Sequence, residues 1–430
     1  MSERARPQAG SDAAERVAAA AAGRTLRAIA AAYGIGDAFG VVSIHNQPIV
    51  DALAEATSGV GYVPVRHEAT AVSAADAHGR VNQSLGLAVT STGTGAGNAA
   101  GALVEALTAG SAVLHVTGNI ESTFLGQGRG VIHETKAQHQ MLDAVSKAAY
   151  TVTAPSEVAP TLWRAAAEAV ATPAGPVSVE IPIDLQYASS TDEIPIQPPG
   201  PSPEIGGDLE LAVELLVDAE RPVLWAGGGA IGARTEVEAL CRRLGIPLLT
   251  SNAGRGVIDE RDPLVIGNFA ARPGGQRLLE QADLLLSIGT HFRSNETRHY
   301  RLALPERHIQ IDVDRSAIGR AYPVTVGLVG DAGVIVAALD NQLVEVERQS
   351  WCAAAAETRA EVRRSLEADI GPYAQLCRSL RSVLPEQSPL VRDVTIPASA
   401  WGNRLLDVPH PSVNVNARGG GIGQGLGMGI

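Results

Sequence analysis

Aromatic residues are scarce in this chain, and cysteines are few. Phe, Trp and Tyr together make up 3% of the 430 residues, so any hydrophobic core must be built mainly from Ala, Val, Leu and Ile. The three cysteines, Cys241, Cys352 and Cys377, lie far apart and form neither a CxxC pair nor a zinc-ligand spacing. Their odd number argues against a disulfide framework, which favours a reducing compartment and predicts a cytoplasmic protein.

Clusters of basic residues and long apolar runs are also missing. The formal net charge is −12, which argues against nucleic acid or an anionic membrane as a partner. The N-terminal stretch is rich in Ala and Arg, as in a transit peptide, but it contains the acidic residues Glu3, Asp12 and Glu15. We therefore expect no signal peptide and no membrane-spanning segment.

The chain does contain a regular alternation of short apolar runs and helical patterns. Hydrophobic residues make up 45% of it, and its length suggests about three domains. Short buried runs that alternate with helices predict parallel strands joined by right-handed crossovers. In the first part of the chain the predicted strands are Ala38–Val42, Leu85–Thr90, Ala112–Thr117 and Val177–Ile181. The predicted helices are Glu15–Tyr33, Ile49–Ala56, Glu68–Gly79, Gly97–Ala109 and Thr161–Ala171.

A Pro-rich segment separates this part from a second alternating part. The predicted strands there are Val223–Ala226, Pro247–Thr250, Leu284–Ile288 and Ile309–Val313, and a charged helix, Glu345–Glu367, follows. The predicted fold class is therefore α/β, with consecutive doubly wound parallel-sheet domains. We expect disorder at residues 1–12, a first domain at 13–187, a linker at 188–207, a central domain at 208–342, a linker and helix at 343–385, and the start of a third domain at 386–430.

Two loops carry the residue types that chemistry needs. Arg66-His67-Glu68 lies on a predicted strand-to-helix turn, and the loop Ser-Thr-Gly-Thr-Gly-Ala-Gly-Asn at residues 91–98 follows the next predicted strand. The carboxyl ends of parallel strands share one edge of a sheet, so the two loops could meet there. A desolvated carboxyl group such as that of Glu68 can share a proton with a ring nitrogen. Alternatively, Glu68 is a helix N-terminal charge favoured by the helix dipole.

The stretch "PVRHEATAVSAADAHGR", followed by "LGLAVTSTGTGAGNAAGALVEALTAG", resembles the pyrimidine-binding domain of thiamine-diphosphate enzymes of the acetolactate synthase group. This resemblance implies that Glu68 contacts the N1′ atom of the aminopyrimidine of thiamine diphosphate. It also implies cofactor contacts from Gly93, Thr94, Gly95 and Asn98. The corresponding family loop usually reads S-G-P-G-x-x-N, so Thr94 stands where Pro is usual.

The implied reaction is decarboxylation of a 2-oxo acid, with possible carboligation as in acetolactate synthase. The glycine-rich run at residues 419–430 resembles the start of the family's diphosphate-binding domain. Ile422 aligns there with the aliphatic side chain that bends the cofactor, although ordinary core packing would explain this residue equally well. The residues that the third domain would place at the cofactor are Thr395, Ile396, Ile422 and Gly423.

The G-D-G…N motif, which holds Mg²⁺ and the diphosphate in this family, does not occur before Ile430. We therefore expect the Mg²⁺ ligands to lie beyond Ile430, and we expect no metal site within these 430 residues. A chain truncated at this point should be inactive by itself. The alternative is a non-catalytic or regulatory relic that keeps the fold and lacks the Mg²⁺ and diphosphate motif.

Four residues are candidates for binding the small-molecule 2-oxo acid substrate. His45 and Asn46 lie in a loop that resembles the family's G-I-P-G-x-x-N loop. His133 lies in "LGQGRGVIHE", where most acetolactate synthases have a shorter loop ending in A-F-Q-E; the altered loop resembles a side branch that includes 2-oxo acid decarboxylases. Lys147 matches a lysine common in the synthases. A solvated loop histidine and a surface lysine remain the alternatives.

The middle part of the chain resembles the central domain of the same family, which holds FAD in some members. Its loop Gly227–Gly232 could bind a dinucleotide or form a tight turn. Segments 267–270 and 291–295 differ from those of FAD-binding members, so FAD stays an open alternative. Because the family's site lies between subunits, we expect at least a homodimer, with the helices Glu68–Gly79 and Gly97–Ala109 at the interface.

Overall fold

The computed structural model describes residues 21–55, 58–188, 200 and 202–430. The predictions made for residues 1–20, for Ala56 and for most of the linker, residues 189–199 and 201, lie outside these ranges. The described chain forms two compact units. The first contains the described residues up to Ala188 together with Val415–Ile430, and the second contains Gly200–Asn414.

The first unit is built on a six-stranded parallel sheet with the strand order β2-β1-β3-β4-β6-β5. The strands are β1 (Asp37–Gly40), β2 (Gly61–Pro64), β3 (Gly86–Thr90), β4 (Val113–Asn119), β5 (Ala148–Thr151) and β6 (Pro176–Pro182). The helices are α1 (Ala21–Tyr33), α2 (Gln47–Ala54), α3 (Glu68–Asn82), α4 (Thr94–Ala109), α5 (Gln138–Val145), α6 (Val158–Val170) and α7 (Ile183–Gln186).

Helices cover both faces of this sheet, because its inner strands are apolar on both sides. Leu87 and Val89 of β3 point into a cluster shared with α1, α2 and α6, whereas Ala88 between them joins a cluster shared with α3 and α4. This alternation is the two-residue period of a strand. The sheet is therefore doubly wound, as the sequence predicted.

The second unit repeats this architecture with the strand order β12-β11-β10-β7-β8-β9, again all parallel. Its strands are β7 (Pro222–Ala226), β8 (Leu248–Thr250), β9 (Val265–Gly267), β10 (Leu284–Ile288), β11 (His308–Asp312) and β12 (Val326–Val329). Its helices are α8 (Leu209–Asp218), α9 (Arg234–Leu244), α10 (Pro273–Gln281), α11 (Ala332–Asp340), α12 (Gln349–Ile370) and α13 (Tyr373–Val383). Helices α8, α9 and α11 pack on one face, and α10 and α12 pack on the other.

The last part of the chain is divided between the two units. We expected residues 386–430 to begin a third domain, but the short strand β13 (Leu390–Arg392) and the chain up to Asn414 group with the second unit. The short strand β14 (Asn414–Asn416) ends as the chain enters the first unit, where helix α14 (Gln424–Met428) lies. No helix in the described ranges is both long and apolar enough to cross a membrane.

Candidate active site at the carboxyl edge of the first sheet

Glu68 is the first residue of α3, which begins shortly after β2 ends. The preceding residue, His67, caps the helix by accepting a hydrogen bond from the backbone amide of Ala69 at 3.2 Å. The Glu68 side chain is turned inward and the residue is only 7% exposed. Its Oε2 atom accepts a hydrogen bond from Nδ2 of Asn98 at 2.9 Å. The two loops that the sequence singled out therefore meet through their side chains.

The other carboxyl oxygen of Glu68 faces a glycine. A Cβ atom on Gly95 would lie 2.8 Å from Oε1 of Glu68 and 2.8 Å from Cβ of Ser91, so a larger residue would clash at this point. No described residue donates a hydrogen bond to Oε1. One carboxyl oxygen of Glu68 therefore accepts a hydrogen bond from the side-chain amide of Asn98, and the other lies beside the backbone of Gly95.

Helix α4 begins three residues earlier than the sequence suggested. The predicted helix begins at Gly97, which leaves Thr94 and Gly95 in the loop before it. In the structure α4 already begins at Thr94, so Thr94, Gly95 and Asn98 all lie in its first two turns. The amide of Gly97 already donates to the carbonyl of Gly93 at 3.0 Å. Thr94 is exposed, whereas Asn98 is aimed back from the first turn towards Glu68. The change matters because a helical turn fixes the distance between Gly95 and Asn98 more firmly than a loop does.

Gly93 is held where only glycine fits. Its φ of +62° lies in the left-handed region, and a Cβ atom there would lie 2.6 Å from the carbonyl oxygen of His133. His133 itself has a φ of +70°. Its ring stands edge-to-face against that of His45, with 5.1 Å between the ring centroids. The candidate substrate residues His45 and His133 are thus brought together, and the backbone of His133 touches the Gly93 loop.

The electrostatic surroundings of His45 favour its neutral form. Partial burial lowers the pKa of His45, and the neighbouring His133 ring lowers it further. The carbonyl oxygen of His45 accepts a hydrogen bond from Nε2 of Gln186 at 2.7 Å, which fixes the loop after β1. A neutral imidazole at this position can accept a proton.

The loop that carries His133 is ordered by a single carboxylate. Glu134 accepts hydrogen bonds from the backbone amides of Gly128 at 2.9 Å, Gly130 at 2.8 Å and Val131 at 3.1 Å. Three amides on one carboxylate make a compact turn from an otherwise glycine-rich segment. The sequence singled out this loop but did not indicate that Glu134 organises it.

The side chain of Asn46 stabilises the loop in which it lies. It is fully buried, its Oδ1 atom accepts from the amide of Ser43 at 2.8 Å, and its Nδ2 atom donates to the carbonyl of Val41 at 2.9 Å. Both ends of the side-chain amide therefore close the loop between β1 and α2. The sequence predicts a substrate contact at Asn46, but its polar atoms already have partners within its own loop.

Lys147 lies at the amino ends of the strands, opposite the carboxyl ends that carry the candidate site. It precedes β5, whereas Glu68, Gly93 and His45 follow the carboxyl ends of their strands. Its Nζ atom donates to the carbonyl oxygens of Glu168 and Ala171, both at 2.7 Å, at the end of α6. Lys147 was predicted as a substrate contact, whereas the contacts in the structure are those of a lysine that caps a helix. Burial lowers its pKa.

Two buried polar residues, Gln138 and Glu180, were not predicted from the sequence. Gln138 is the first residue of α5, and its Oε1 atom accepts a hydrogen bond from the amide of Gly93 at 2.7 Å. Its Nε2 atom donates to Oε1 of Glu180 at 2.8 Å. Glu180 lies in the otherwise apolar strand "PVSVEIP", and an acidic residue in a buried run was the signal that could have revealed it.

The glycine run near the end of the chain packs on the same helices. The carboxylate of Glu105 on α4 accepts hydrogen bonds from the amides of Gly419 at 2.6 Å and Gly421 at 3.1 Å. Ser73 on α3 donates to Oε1 of Gln424 at 2.6 Å. Among the candidate cofactor residues, Ile422 is 83% exposed and Gly423 has a φ of +87°. Thr395 and Ile396 belong to the second unit, where both are exposed.

The residues at this edge fit the aminopyrimidine part of thiamine diphosphate. A buried carboxyl group, oriented by one amide and open on the side of Gly95, has the chemistry of a group that shares a proton with a ring nitrogen. Within the described ranges, no group of three or more His, Cys, Asp or Glu side chains could hold a metal ion.

The glycine loop of the second unit does not fit a dinucleotide phosphate. The amide of Gly227 donates to the carbonyl of Ile288 at 2.8 Å, and that of Gly229 donates to the carbonyl of Gly289 at 3.1 Å. A Cβ atom on Gly227 would lie 2.0 Å from the Gly289 oxygen. The chain then continues through a 3₁₀ segment, Gly228–Ala233, before α9. These glycines are needed for close backbone packing, and two amides expected to cradle phosphate are used within the protein.

Two family models match this chain. Residues 14–146 match the N-terminal TPP binding domain of thiamine pyrophosphate enzymes, and residues 209–339 match the central domain of the same enzymes. The first match contains Glu68, Gly93 and Asn98, and the second contains all six strands of the second sheet.

Three relatives show how far the similarity extends. The probable 2-ketoarginine decarboxylase AruI of Pseudomonas aeruginosa is 31% identical over 95% of this chain and 74% of its own length. The probable acetolactate synthase large subunit of Methanocaldococcus jannaschii is 30% identical over 74% of this chain and 56% of its own length. A sulfoacetaldehyde acetyltransferase of Castellaniella defragrans is 31% identical over 73% of this chain and 53% of its own length. The chain thus spans about half the length of the last two relatives.

Proposed function

The chain belongs to the family of thiamine pyrophosphate enzymes, and we propose that it catalyses the thiamine-diphosphate-dependent decarboxylation of a 2-oxo acid. The observation that carries this proposal is the buried Glu68 carboxyl group and its hydrogen bond to Asn98. When bound, thiamine diphosphate supplies the electron sink for the loss of CO₂. The role of the protein is to bind the reactants, to orient them and to hold protons at defined atoms.

Glu68 would hold the proton that is shared with N1′ of the aminopyrimidine. Its Oε2 atom is fixed by Asn98, so the carboxyl plane cannot rotate freely, and Oε1 remains available beside Gly95. Asn98 therefore orients this acid–base group, and Gly95 leaves space beside it.

His45 and His133 would face the 2-oxo acid. Both lie beyond the carboxyl ends of strands in the same sheet, and their rings are in contact. The lowered pKa of His45 favours a neutral ring that can take up a proton, while either ring can donate a hydrogen bond to a carboxylate. This placement supports a role in binding or protonating the substrate.

The choice between decarboxylation alone and carboligation rests on the relatives. The relative whose alignment covers 95% of this chain is named as a 2-ketoarginine decarboxylase, whereas the acetolactate synthase and the acetyltransferase align over 74% and 73%. The longer His133 loop also differs from the loop of acetolactate synthases. We therefore favour decarboxylation of a 2-oxo acid, and carboligation is the second candidate. A catalytically inactive relic of the fold is the alternative.

The test uses the complete gene product with thiamine diphosphate and Mg²⁺. Release of CO₂ would be measured from pyruvate, longer 2-oxo acids and 2-ketoarginine, together with formation of 2-hydroxy-3-oxo acids. Glu68→Gln should slow both turnover and the exchange of the cofactor's C2 hydrogen by about 10²–10⁴-fold, because an amide cannot share a proton as a carboxyl group does. It should leave the melting temperature nearly unchanged, since the two side chains are close to isosteric.

Glu345→Gln provides the matched control, because Glu345 is an exposed glutamate in the second unit. This variant should be as active as the parent. Absence of turnover on every 2-oxo acid would overturn the proposed reaction and favour the relic. A Glu68→Gln variant with the parent's activity would remove Glu68 from the mechanism.

A further inference from the structure

Gln138 uses every polar atom of its side chain to join the Gly93 loop to the core of the first sheet. The residue is 5% exposed. Its Oε1 atom accepts from the amide of Gly93 at 2.7 Å and from Oγ1 of Thr92 at 3.1 Å. Its Nε2 atom donates to the carbonyl of Gly118 at 3.0 Å and to Glu180 at 2.8 Å. Two donors and two acceptor positions are the full capacity of a glutamine amide.

Glu180 determines which way this amide points. It is almost fully buried, and its Oε1 atom also accepts from Nδ2 of Asn119 at 3.1 Å, while Oε2 accepts from Oγ1 of Thr151 at 2.6 Å. A carboxylate only accepts, so the NH₂ group of Gln138 must face Glu180 and its oxygen must face Gly93. Strands β4, β5 and β6 thereby fix one orientation of Gln138.

The Gly93 loop is the part of the site that depends on this orientation. Gly93 is held at its amide by Gln138 and pressed on its other side by the His133 backbone. Two residues further along, Gly95 borders Oε1 of Glu68, and Asn98 then binds Oε2. A shift of Gly93 would be passed to both contacts, because Gly95 and Asn98 lie on the helix that starts immediately after it.

We propose that Gln138 is a positioning residue for the acid–base group Glu68. This inference rests on the proposed function. Gln138 does not border Glu68 itself. It acts by fixing the position of the segment from Thr92 to the first turn of α4 relative to the carboxyl ends of the strands. Displacement of a reacting group by about 1 Å can reduce the rate by about 100-fold. The sequence around Gln138 carries no motif, so its role follows only from the folded geometry.

Gln138→Met tests this role, because methionine has a similar length and lacks all four hydrogen bonds. Hydrogen–deuterium exchange of backbone amides in segment 91–98 should become faster by about 10-fold or more, since the amide of Gly93 loses its acceptor. In the complete gene product, kcat should fall by about 10- to 100-fold with a smaller change in KM, and exchange of the cofactor's C2 hydrogen should slow in parallel.

Gln140→Met is the matched control. Gln140 lies on the same helix but is exposed, so this variant should keep the parent's amide exchange and kcat. If Gln138→Met does not fold, Gln138→Glu replaces it, because this variant keeps the length and the acceptor for Gly93. It sets a like charge against Glu180, so it should also loosen segment 91–98 and lower kcat.

The outcomes separate this inference from the proposed function. Unchanged exchange in segment 91–98, or a kcat within twofold of the parent, would overturn the positioning role while leaving the decarboxylase intact. A parent protein without any thiamine-diphosphate-dependent turnover would overturn the proposed function and the positioning role together. In that case the amide exchange would still report whether Gln138 holds the loop.

Discussion

His115 is a fully buried histidine in the middle of β4, and hydroxyl groups lie beside both of its ring nitrogens. Its Nε2 atom lies 2.8 Å from Oγ1 of Thr90, and its Nδ1 atom lies 3.0 Å from Oγ of Ser178. Ser178 in turn lies 2.8 Å from Oγ of Ser146. The two hydroxyl partners can satisfy a neutral imidazole but offer no charge to balance an imidazolium. Full burial therefore lowers the pKa of His115 to about 4.

This lowered pKa predicts a loss of stability in mild acid. An unfolded histidine takes up a proton with a pKa near 6.5, whereas folded His115 does so only near pH 4. The stabilisation is therefore complete above pH 6.5 and is lost as the pH falls from there towards 4. Between pH 7 and pH 5 the contribution of His115 should fall by about 2 kcal/mol. Hydrogen exchange of segment 113–119 measures it, since the two units need not unfold together.

His115→Asn should remove this part of the pH dependence, although it lowers the stability at pH 7 as well. His299→Asn changes an exposed histidine in the second unit and should leave the pH dependence of segment 113–119 as in the parent. If the His115 variant kept the parent's full slope between pH 7 and pH 5, another group would be responsible for it.

The residues of the candidate site differ in how well they could be predicted from the sequence. The meeting of the loops that carry Glu68 and Asn98 could be predicted, because each residue lies in a short motif next to a strand. Gln138 and Glu180 could not be paired, because 42 residues separate them and only the folded sheet brings them together. Lys147 had a motif-like context, yet its contacts to α6 depend on which end of β5 it occupies, and that strand was not predicted.

At the level of strands, the sequence predicted the four inner strands of each sheet and missed both edges. Inner strands such as β3 are buried on both faces and read as continuous apolar runs. The edge strands β2 and β5 of the first sheet are short and only half-buried, so their sequences GYVP and AAYT carry no such signal. The edge strands β9 and β12 of the second sheet are similarly short. Their positions depend on pairing with a neighbouring strand.

The helix-capping role of Lys147 can be separated from a catalytic role. Lys147→Met should destabilise the first unit by about 1 kcal/mol, because two carbonyls at the end of α6 lose a charged donor. It should leave kcat and KM for the 2-oxo acid unchanged, because Lys147 lies at the amino edge of the sheet. Denaturant unfolding and steady-state kinetics measure the two effects, and Lys136→Met, at an exposed lysine, is the control. A large loss of kcat without a loss of stability would restore Lys147 as a substrate residue.

At the scale of the whole molecule, the two doubly wound units explain why two family models match. The N-terminal match, residues 14–146, contains four of the six strands of the first sheet, and the central match, residues 209–339, contains all six strands of the second. The carboxyl edge of the first sheet holds Glu68, whereas in the second sheet the corresponding glycine loop is filled by backbone packing. The same architecture therefore carries the proposed site in one unit and a packed turn in the other.

Exposed apolar side chains on the first unit predict self-association. Val104 and Leu107 project from α4, and Ile422 and Leu426 are exposed in and near α14 of the same unit. Burial of such side chains against a second copy would remove apolar surface from water. We expect light scattering at micromolar concentration to give a mass twice that of the 44.4 kDa chain.

Leu107→Arg tests whether α4 forms this interface. The side chain is partly exposed, so the fold should tolerate arginine, but a charge at an apolar interface should shift the mass towards that of a monomer. Val344→Arg places the same charge at an exposed apolar residue of the second unit and should leave the mass unchanged. A parent that scatters as a monomer would contradict the predicted association. A Leu107 variant that remains dimeric would place the interface elsewhere.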